Sequence, residues 1–177
     1  MSIRKTIKLM EDVRDFAEEG LDTAELRNLS KEYGEAIKGR LIDGLLGGYD
    51  TEGKQFKGLA ESTLYNRLHR DDRPTTSNRP LIDKNQSILN FLKSPDLIKA
   101  GSKRIQLKPL SSSSVPYINQ EPDHNTGFTT PKGGNVPARK WYGIPKTYRE
   151  GGTKYNEFLK KFVKRIEENF KKVLKFR

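Results

Sequence analysis

Two histidines are the side chains of this sequence best suited to acid–base or metal chemistry. His69 ends a short predicted helix beside Asp71, and His124 lies in the polar stretch EPDHNTG. A histidine can move protons near neutral pH or bind zinc, but zinc needs several ligands in one place. The chain has no cysteine, no His-x-x-x-His and no His-Glu pair. We therefore predict no metal site, and we expect both histidines at the solvated surface.

Paired carboxylates could support general acid–base catalysis. The closest pairs are Asp71-Asp72 and Glu121 with Asp123, and both lie in polar stretches that predict exposed turns. The candidates for a cell-wall or nucleic-acid hydrolase are Glu61, Asp71, Asp72 and Glu121. The chain has no G-x-S-x-G elbow, phosphate-binding loop or dinucleotide fingerprint. We predict no enzymatic activity and no cofactor, and the hydrolase stays as the lowest-ranked alternative.

The net charge of +11 is concentrated in the last two thirds of the chain. Residues 1–60 hold 10 basic against 12 acidic side chains, and residues 61–177 hold 24 against 11. Such a balance fits contact with nucleic acid or with acidic proteins, and the charge alone does not choose between them. No apolar run approaches the length needed to span a membrane, so we expect a soluble protein.

Two long helices are the clearest elements that could position any site. The first lies in LDTAELRNLSKEYGEAIKGRLIDGLLGGYD, where Asp22 and Glu25 have the spacing of a capping box and Gly47-Gly48 predicts the end. The second starts near Lys154 and keeps helical apolar spacing for about five turns, with a basic polar face. A weaker helix candidate in residues 1–20 is expected to be an arm that docks on a neighbour.

Shorter elements fill the middle of the chain. LAESTLYNRLHR and LIDKNQSILNFLKS predict short helices, the second stopped by Pro95, and DLIKAGSKRIQLKP predicts a β-hairpin around Gly101-Ser102. VPYINQ is predicted as a short strand or helical turn. We expect an α+β fold, with a small antiparallel β-sheet or hairpins flanked by a long N-terminal and a long amphipathic C-terminal helix. Residues 21–177 form one domain, with long loops at about 48–58 and 121–135 that reach towards neighbouring subunits.

The stretch NVPARKWYGIP contains the only tryptophan of the chain. Trp141 is predicted to anchor a strand or loop to the core, with its indole N–H bonded to a backbone acceptor. Pro137 fixes the backbone on one side, and Gly143 permits a turn that a side chain would block. Alternation along an extended strand would place Arg139 on the same side as Trp141, within reach of a carboxylate or carbonyl. We predict that Arg139 forms a structural ion pair or an inter-subunit contact, and that Arg139→Ala reduces assembly more than folding.

Taken in order, several segments resemble the phage virion morphogenesis or tail completion family of tailed bacteriophages. The resemblance covers about residues 22 to 176 and is carried by FKGLAESTLYNR, RPLIDKNQSILNFL, PYINQ and VPARKWYGIP. Each motif alone is weak, whereas the ordered set is moderately specific. The matching residues, which are the expected structural or assembly positions, are Leu59, Thr63, Arg67, Pro80, Leu81, Tyr117, Gln120, Pro137, Arg139, Trp141 and Gly143.

The resemblance implies a non-enzymatic structural protein of the phage neck or upper tail. Such a protein forms a homo-oligomeric ring, with six copies expected, that completes or terminates the tail and joins it to the head connector. Its partners would be neighbouring connector, neck, tail tube or tail terminator proteins, with transient contact to genome DNA in the channel and none to membrane. It would be assembled in the host cytoplasm and located in the virion. A sequence-independent nucleic-acid-binding protein that uses the basic C-terminal half is the first alternative.

Overall fold

The protein is a mixed α+β chain, as the sequence predicts. The computed structural model describes residues 24–61, 64–65, 69, 81, 86–101, 104–109, 127–129 and 133–175. Within these residues there are three helices, two β-hairpins and a 3₁₀ turn at Lys146–Tyr148. The elements in chain order are α1 (Ala24–Gly47), α2 (Ser87–Lys93), β1 (Ile98–Ala100), β2 (Ile105–Leu107), β3 (Phe128–Thr129), β4 (Asn135–Val136) and α3 (Thr153–Lys175).

Helix α1 is the central element and ends where the glycine pair predicts. The Tyr49 N–H donates to the Gly44 carbonyl at 2.7 Å, the Gly48 N–H reaches the Leu45 carbonyl, and Gly48 has a φ of 78°. This pattern is a Schellman cap, in which a left-handed glycine satisfies the last carbonyls of the helix. One face of α1 is buried at helical spacing, through Leu26, Ser30, Gly34, Ile37, Leu41, Gly44 and Leu45.

The predicted β-hairpin is confirmed and packs directly on α1. Strands β1 and β2 pair antiparallel, with Ile98 opposite Leu107 and Ala100 opposite Ile105. The helix presents Gly34 to β1, where a Cβ would lie only 2.8 Å from the Cγ2 of Ile98. The absence of a side chain at this position therefore sets how closely the hairpin approaches the helix.

The core lies between α1, α2 and the segment that follows β4. Helix α2 begins at Ser87, later than the sequence predicts, because Gln86 at its N-cap has a left-handed backbone with a φ of 52°. Four of the seven residues of α2 are buried, so this short helix is held by packing. The buried cluster consists of Ile37, Leu41, Leu45, Phe56, Ile88, Leu89, Phe91, Leu92, Leu97 and Trp141.

Helix α3 packs antiparallel on α1, and its predicted start and length are confirmed. The rings of Tyr33 and Phe158 stack with centroids 4.3 Å apart, and Arg165 lies 3.8 Å from Glu25. Near the start of α3, the Tyr33 hydroxyl donates to the Tyr148 carbonyl at 2.7 Å. The later part of α3 thus lies beside the start of α1.

Segment 48–58 is a loop, as predicted, and it packs on the body, because Phe56 is in the core and Thr51 is buried. Its contact with neighbouring subunits stays a prediction. The predicted loop at 121–135 contains a second hairpin, in which Phe128 pairs with Val136 and Thr129 with Asn135. The remaining residues of that loop, the arm at 1–20 and VPYINQ lie outside the described residues. No helix of the described part is long and apolar enough to cross a membrane.

Candidate assembly surface

The tryptophan segment is a tight turn rather than an extended strand. The Trp141 N–H donates to the Arg139 carbonyl at 2.7 Å, which closes a three-residue turn centred on Lys140. The prediction that strand alternation places Arg139 beside Trp141 is therefore wrong in its geometry. Both side chains are nevertheless buried, with 5% of Arg139 and 2% of Trp141 exposed, because the turn directs them inwards on either side of the exposed Lys140.

Segment 48–58 holds this turn in place from the other side. The Thr51 N–H donates to the Lys140 carbonyl, and the Lys146 N–H donates to the Thr51 carbonyl, both at 2.8 Å. The segment is itself closed by Asp50, whose Oδ1 accepts from the backbone N–H groups of Glu52 and Lys54 at 2.9 and 2.7 Å. The two loops are therefore joined by backbone hydrogen bonds, and Thr51 is the residue that links them.

Arg139 connects the same turn to the end of segment 48–58. Its Nη2 donates to the Lys57 carbonyl at 3.4 Å, so the predicted contact with a carbonyl is present within the subunit. A guanidinium presents several fixed donors and is suited to hold two backbone segments together. Because the side chain is buried, Arg139 acts inside the subunit in this structure.

Trp141 is the largest side chain of the core, as predicted. Its ring lies edge-on to Phe91 with centroids 6.4 Å apart and is tilted against Tyr142 at 5.3 Å. The predicted backbone acceptor for its indole is not found in the described part of the chain, where the buried Nε1 has no hydrogen-bond partner. The contribution of Trp141 is thus apolar packing, and a buried N–H without an acceptor reduces it.

Gly143 and the prolines define the path of the chain away from the turn. Gly143 has a φ of 130°, a conformation that side-chain-bearing residues rarely adopt, although no atom lies where its Cβ would point. The prediction that Gly143 is needed for a turn is supported by its backbone conformation and not by crowding. Pro137 is half-buried, and Pro145 is buried before the 3₁₀ turn that leads to α3.

The other residues that carry the family resemblance are only partly described. Leu59 is half-buried, and Leu81 packs against the core with a φ of 66°. Thr63, Arg67, Pro80, Tyr117 and Gln120 lie outside the described residues. The described members of the set therefore shape the subunit, and the structure brings Arg139 and Trp141 together in one turn.

No small-molecule site emerges around these residues. Leu41, Tyr49, Thr51, Trp141 and Pro145 line one surface depression, which has no room for a water molecule. Among the described residues, no three His, Asp or Glu side chains lie together as metal ligands would. His69 is exposed, with its ring 4.4 Å from that of Tyr65, and Glu61 is exposed as well. The candidates Asp71, Asp72, Glu121, Asp123 and His124 lie outside the described residues.

The surface feature that the sequence interpretation missed is the uncovered edge of α3. Phe158 and Phe162 lie on the edge that faces α1, with their ring centroids 5.5 Å apart. Leu159 and Val163, one residue further along in each case, are 42% and 45% exposed. The apolar stripe of α3 is wider than α1 can cover. The spacing of the apolar residues in the sequence already indicates a stripe of this width. We call Leu159 and Val163 the open edge of α3.

The contact between α3 and α1 is anchored by a tyrosine with a shifted pKa. Burial, with smaller contributions from the nearby Tyr148 and Tyr155, raises the pKa of the Tyr33 hydroxyl to about 12. Burial also raises the pKa of Tyr142, whose hydroxyl donates to the Lys108 carbonyl, to about 12. Both hydroxyls therefore remain neutral donors that tie separate segments together at neutral pH.

Comparisons with known proteins give no relative from which a function could be transferred. No protein-family model, curated protein or solved structure matches this chain. The function therefore has to be argued from the residues themselves.

Proposed function

We propose that this chain is a structural subunit of a phage neck or upper tail. In this proposal, several copies, with six expected, form a ring that completes or terminates the tail and joins it to the head connector. The subunit acts by surface complementarity, without catalysis and without a cofactor. It is assembled in the host cytoplasm, is located in the virion, and contacts connector, tail tube or tail terminator proteins and, transiently, genome DNA.

One observation carries the proposal: the open edge of α3 exposes apolar side chains in the isolated subunit. Leu159 and Val163 lie on a long helix whose polar face is basic, with Lys160, Lys161 and Lys164 exposed. Exposed apolar side chains between charged ones are typical of a surface that another protein covers. A modest core and 32% charged residues also fit a subunit that buries more surface on assembly.

The ordered motifs give the proposal its particular class. The segment VPARKWYGIP forms a turn that backbone hydrogen bonds hold in place, and the chain continues from it through Pro145 and the 3₁₀ turn into α3. A rigid turn of this kind fixes the direction in which α3 leaves the body. This arrangement suits a ring subunit, because a closed ring requires each copy to present its contact helix at the same angle.

Electron microscopy of the purified chain tests the proposal. Negative staining is done with the protein alone and with tail tubes, and rings that cap one end of the tubes are expected. A variant with Leu159→Gln and Val163→Gln should lose the rings while it keeps its helical circular dichroism. Lys161→Gln, on the other side of α3, should keep them. A monodisperse monomer that ignores the tubes would overturn the proposal.

A second candidate function is sequence-independent nucleic-acid binding, which the exposed basic side chains of α3 favour. Lys160, Lys161 and Lys171 form no ion pair with any residue of the described part of the chain. Phosphate neutralisation predicts an affinity that falls steeply with salt, and replacing these three lysines by glutamine should lower the salt slope by roughly 2 to 3. Tight, salt-dependent duplex binding without ring formation would favour this function over the first.

A further inference from the structure

The side chains in and around the open edge of α3 indicate which kind of partner could bind there. Its apolar residues Leu159 and Val163 lie four positions apart and therefore on the same side of the helix. Exposed Lys160 and Lys164 flank them. The matching partner is an amphipathic segment with an apolar stripe and acidic flanks.

Residues 10–22 of this chain have that composition. Met10, Val13, Ala17 and Leu21 follow one another at intervals of three, four and four, which is one stripe of a helix. Between Met10 and Asp22, six acidic residues surround this stripe and Arg14 is the only basic residue. The six are Glu11, Asp12, Asp15, Glu18, Glu19 and Asp22.

The point at which this segment joins α1 is also consistent with docking on an α3 helix. Helix α1 begins at Ala24, and Glu25 lies 3.8 Å from Arg165 in the middle of α3. The N-terminal end of α1, to which the acidic segment is attached, therefore lies beside α3. From Arg165 back to Thr153, α3 extends about 18 Å, and a helix of 13 residues has about the same length.

We propose that the acidic segment at residues 10–22 of one copy docks on the open edge of α3 of an adjacent copy. The inference rests on the proposed ring, which supplies the adjacent copy. A contact that builds a ring has to join two copies, so the proposal places the segment on the neighbour's helix, and docking within one copy is an outcome that the test below distinguishes. Repeated around a ring, each subunit gives one segment and receives one, which is a head-to-tail contact that closes.

Thiol exchange between two variants of the full-length chain tests the docking. The chain has no cysteine, so each introduced thiol is unique. A Val13→Cys protein is converted to its mixed disulfide with thionitrobenzoate and added to a Val163→Cys protein. The thiolate at position 163 attacks the sulfur at position 13, a protein–protein disulfide forms, and coloured thionitrobenzoate leaves, so no further oxidant is needed.

Docking raises the local concentration of the two sulfurs, so we expect about a tenfold or greater rate over a control at Lys161→Cys. The control thiol lies on an exposed part of the same helix. The rate difference should shrink at high salt, because exposed charges are screened. Lys160→Glu with Lys164→Glu should slow the exchange, and Glu18→Lys with Glu19→Lys on the partner should restore it.

Three results would overturn the proposal. Equal rates at positions 163 and 161 would mean that the segment does not recognise the open edge. Preferential dimers between two Val163→Cys chains under oxidation would identify a second α3 as the occupant. Concentration-independent closure within a single chain carrying both substitutions would place each segment on its own helix.

The exchange needs only purified protein, which separates the inference from the proposed function. Rings that cap tail tubes without selective exchange would refute the docking and leave the function standing. Selective exchange without any rings on tubes would support arm docking in a protein that does not complete tails.

Discussion

Gly34 of α1 and Ile98 of β1 determine the distance between the central helix and the first hairpin. A Cβ on Gly34 would lie 2.8 Å from the Cγ2 of Ile98, which is closer than non-bonded carbon atoms approach in proteins. The Ile98 side chain is branched and stiff, so the strand itself would have to move. We expect Gly34→Ala to lower the free energy of unfolding by about 1–3 kcal/mol, measured by urea denaturation.

Gly39 in the same helix is the matched control. No atom lies within 4 Å of the position its Cβ would take. Gly39→Ala should therefore stabilise the protein by about 0.5–1 kcal/mol, because alanine favours the helix over glycine. Similar effects of the two substitutions would show that the hairpin does not press on α1.

Tyr33 makes the contact of α3 with α1 sensitive to alkaline pH. Burial raises its pKa from 10.0 to about 12, and its hydroxyl donates to the Tyr148 carbonyl at 2.7 Å. A raised pKa contributes stability that is complete below pH 10, where Tyr33 is protonated in both states. This contribution is lost as the pH rises through 10 towards 12, because only the unfolded chain ionises readily there.

Tyr33→Phe should cost roughly 0.5–1.5 kcal/mol at neutral pH through the lost hydrogen bond. It should also make the decline of stability between pH 10 and 12 shallower than in the natural protein. Tyr142 has a pKa raised to about 12 as well, so part of the slope should remain until both tyrosines are replaced.

Asp96 gives the opposite pH dependence at the base of the first hairpin. Its Oδ2 lies 2.6 Å from the Lys108 Nζ, and its Oδ1 accepts from the Ser94 hydroxyl. These hydrogen bonds, with Lys108 the larger cause, lower the pKa of Asp96 from 3.8 to about 2. The resulting stability is present above pH 3.8 and is lost as the pH falls towards 2.

Asp96→Asn should remove this acid dependence, which chemical unfolding at several pH values between 2 and 5 would measure. An unchanged acid profile in Asp96→Asn would indicate that Lys108 does not hold the carboxylate in solution.

Trp141 should contribute to the fold through apolar area and not through its indole N–H. Trp141→Ala leaves a cavity between Phe91 and Tyr142 and should lower the stability by about 3–5 kcal/mol. Trp141→Phe should lose clearly less, because the buried Nε1 has no acceptor that would be left unpaired. Unfolding is followed by circular dichroism and not by tryptophan fluorescence, because both variants lack Trp141, the only tryptophan of the chain. Equal losses in the two variants would point to an indole hydrogen bond in solution.

The long helices and the first hairpin could be predicted because local sequence determines them. Helical periodicity marks α1 and α3, and Gly48 ends α1 through its left-handed conformation. The second hairpin could not be predicted, because strands of two residues carry no periodicity. Its two ends are held close together, because Gly127 lies so near Ala138 that a Cβ would be 2.6 Å from the backbone nitrogen.

The sequence singles out Arg139 and Trp141, but it does not show how their segment is arranged. The glycine-rich composition of segment 48–58 suggests a free loop, yet Thr51 and Phe56 are buried because the tryptophan turn lies next to them. Likewise, helical spacing identifies Leu159 and Val163 as apolar positions but does not tell which of them α1 will cover. Such distinctions depend on contacts between distant segments, which one sequence does not encode locally.

Arg139 is the residue for which the structure changes the expectation most. The sequence left open whether it forms a structural pair or an inter-subunit contact, whereas the structure buries it against the Lys57 carbonyl. Arg139→Ala should therefore destabilise the subunit by roughly 1–3 kcal/mol, and any loss of assembly should follow from that unfolding.

The measurement compares urea unfolding with ring formation at a temperature at which the variant is fully folded. Lys140→Ala changes the adjacent exposed side chain and should affect neither. If Arg139→Ala keeps its unfolding free energy but forms no rings, the buried position seen in the single chain does not persist in the ring. Arg139 would then act at the interface, as the sequence alone allowed. If folded Arg139→Ala subunits assemble normally, the tryptophan turn serves to aim α3 and takes no direct part in the contact.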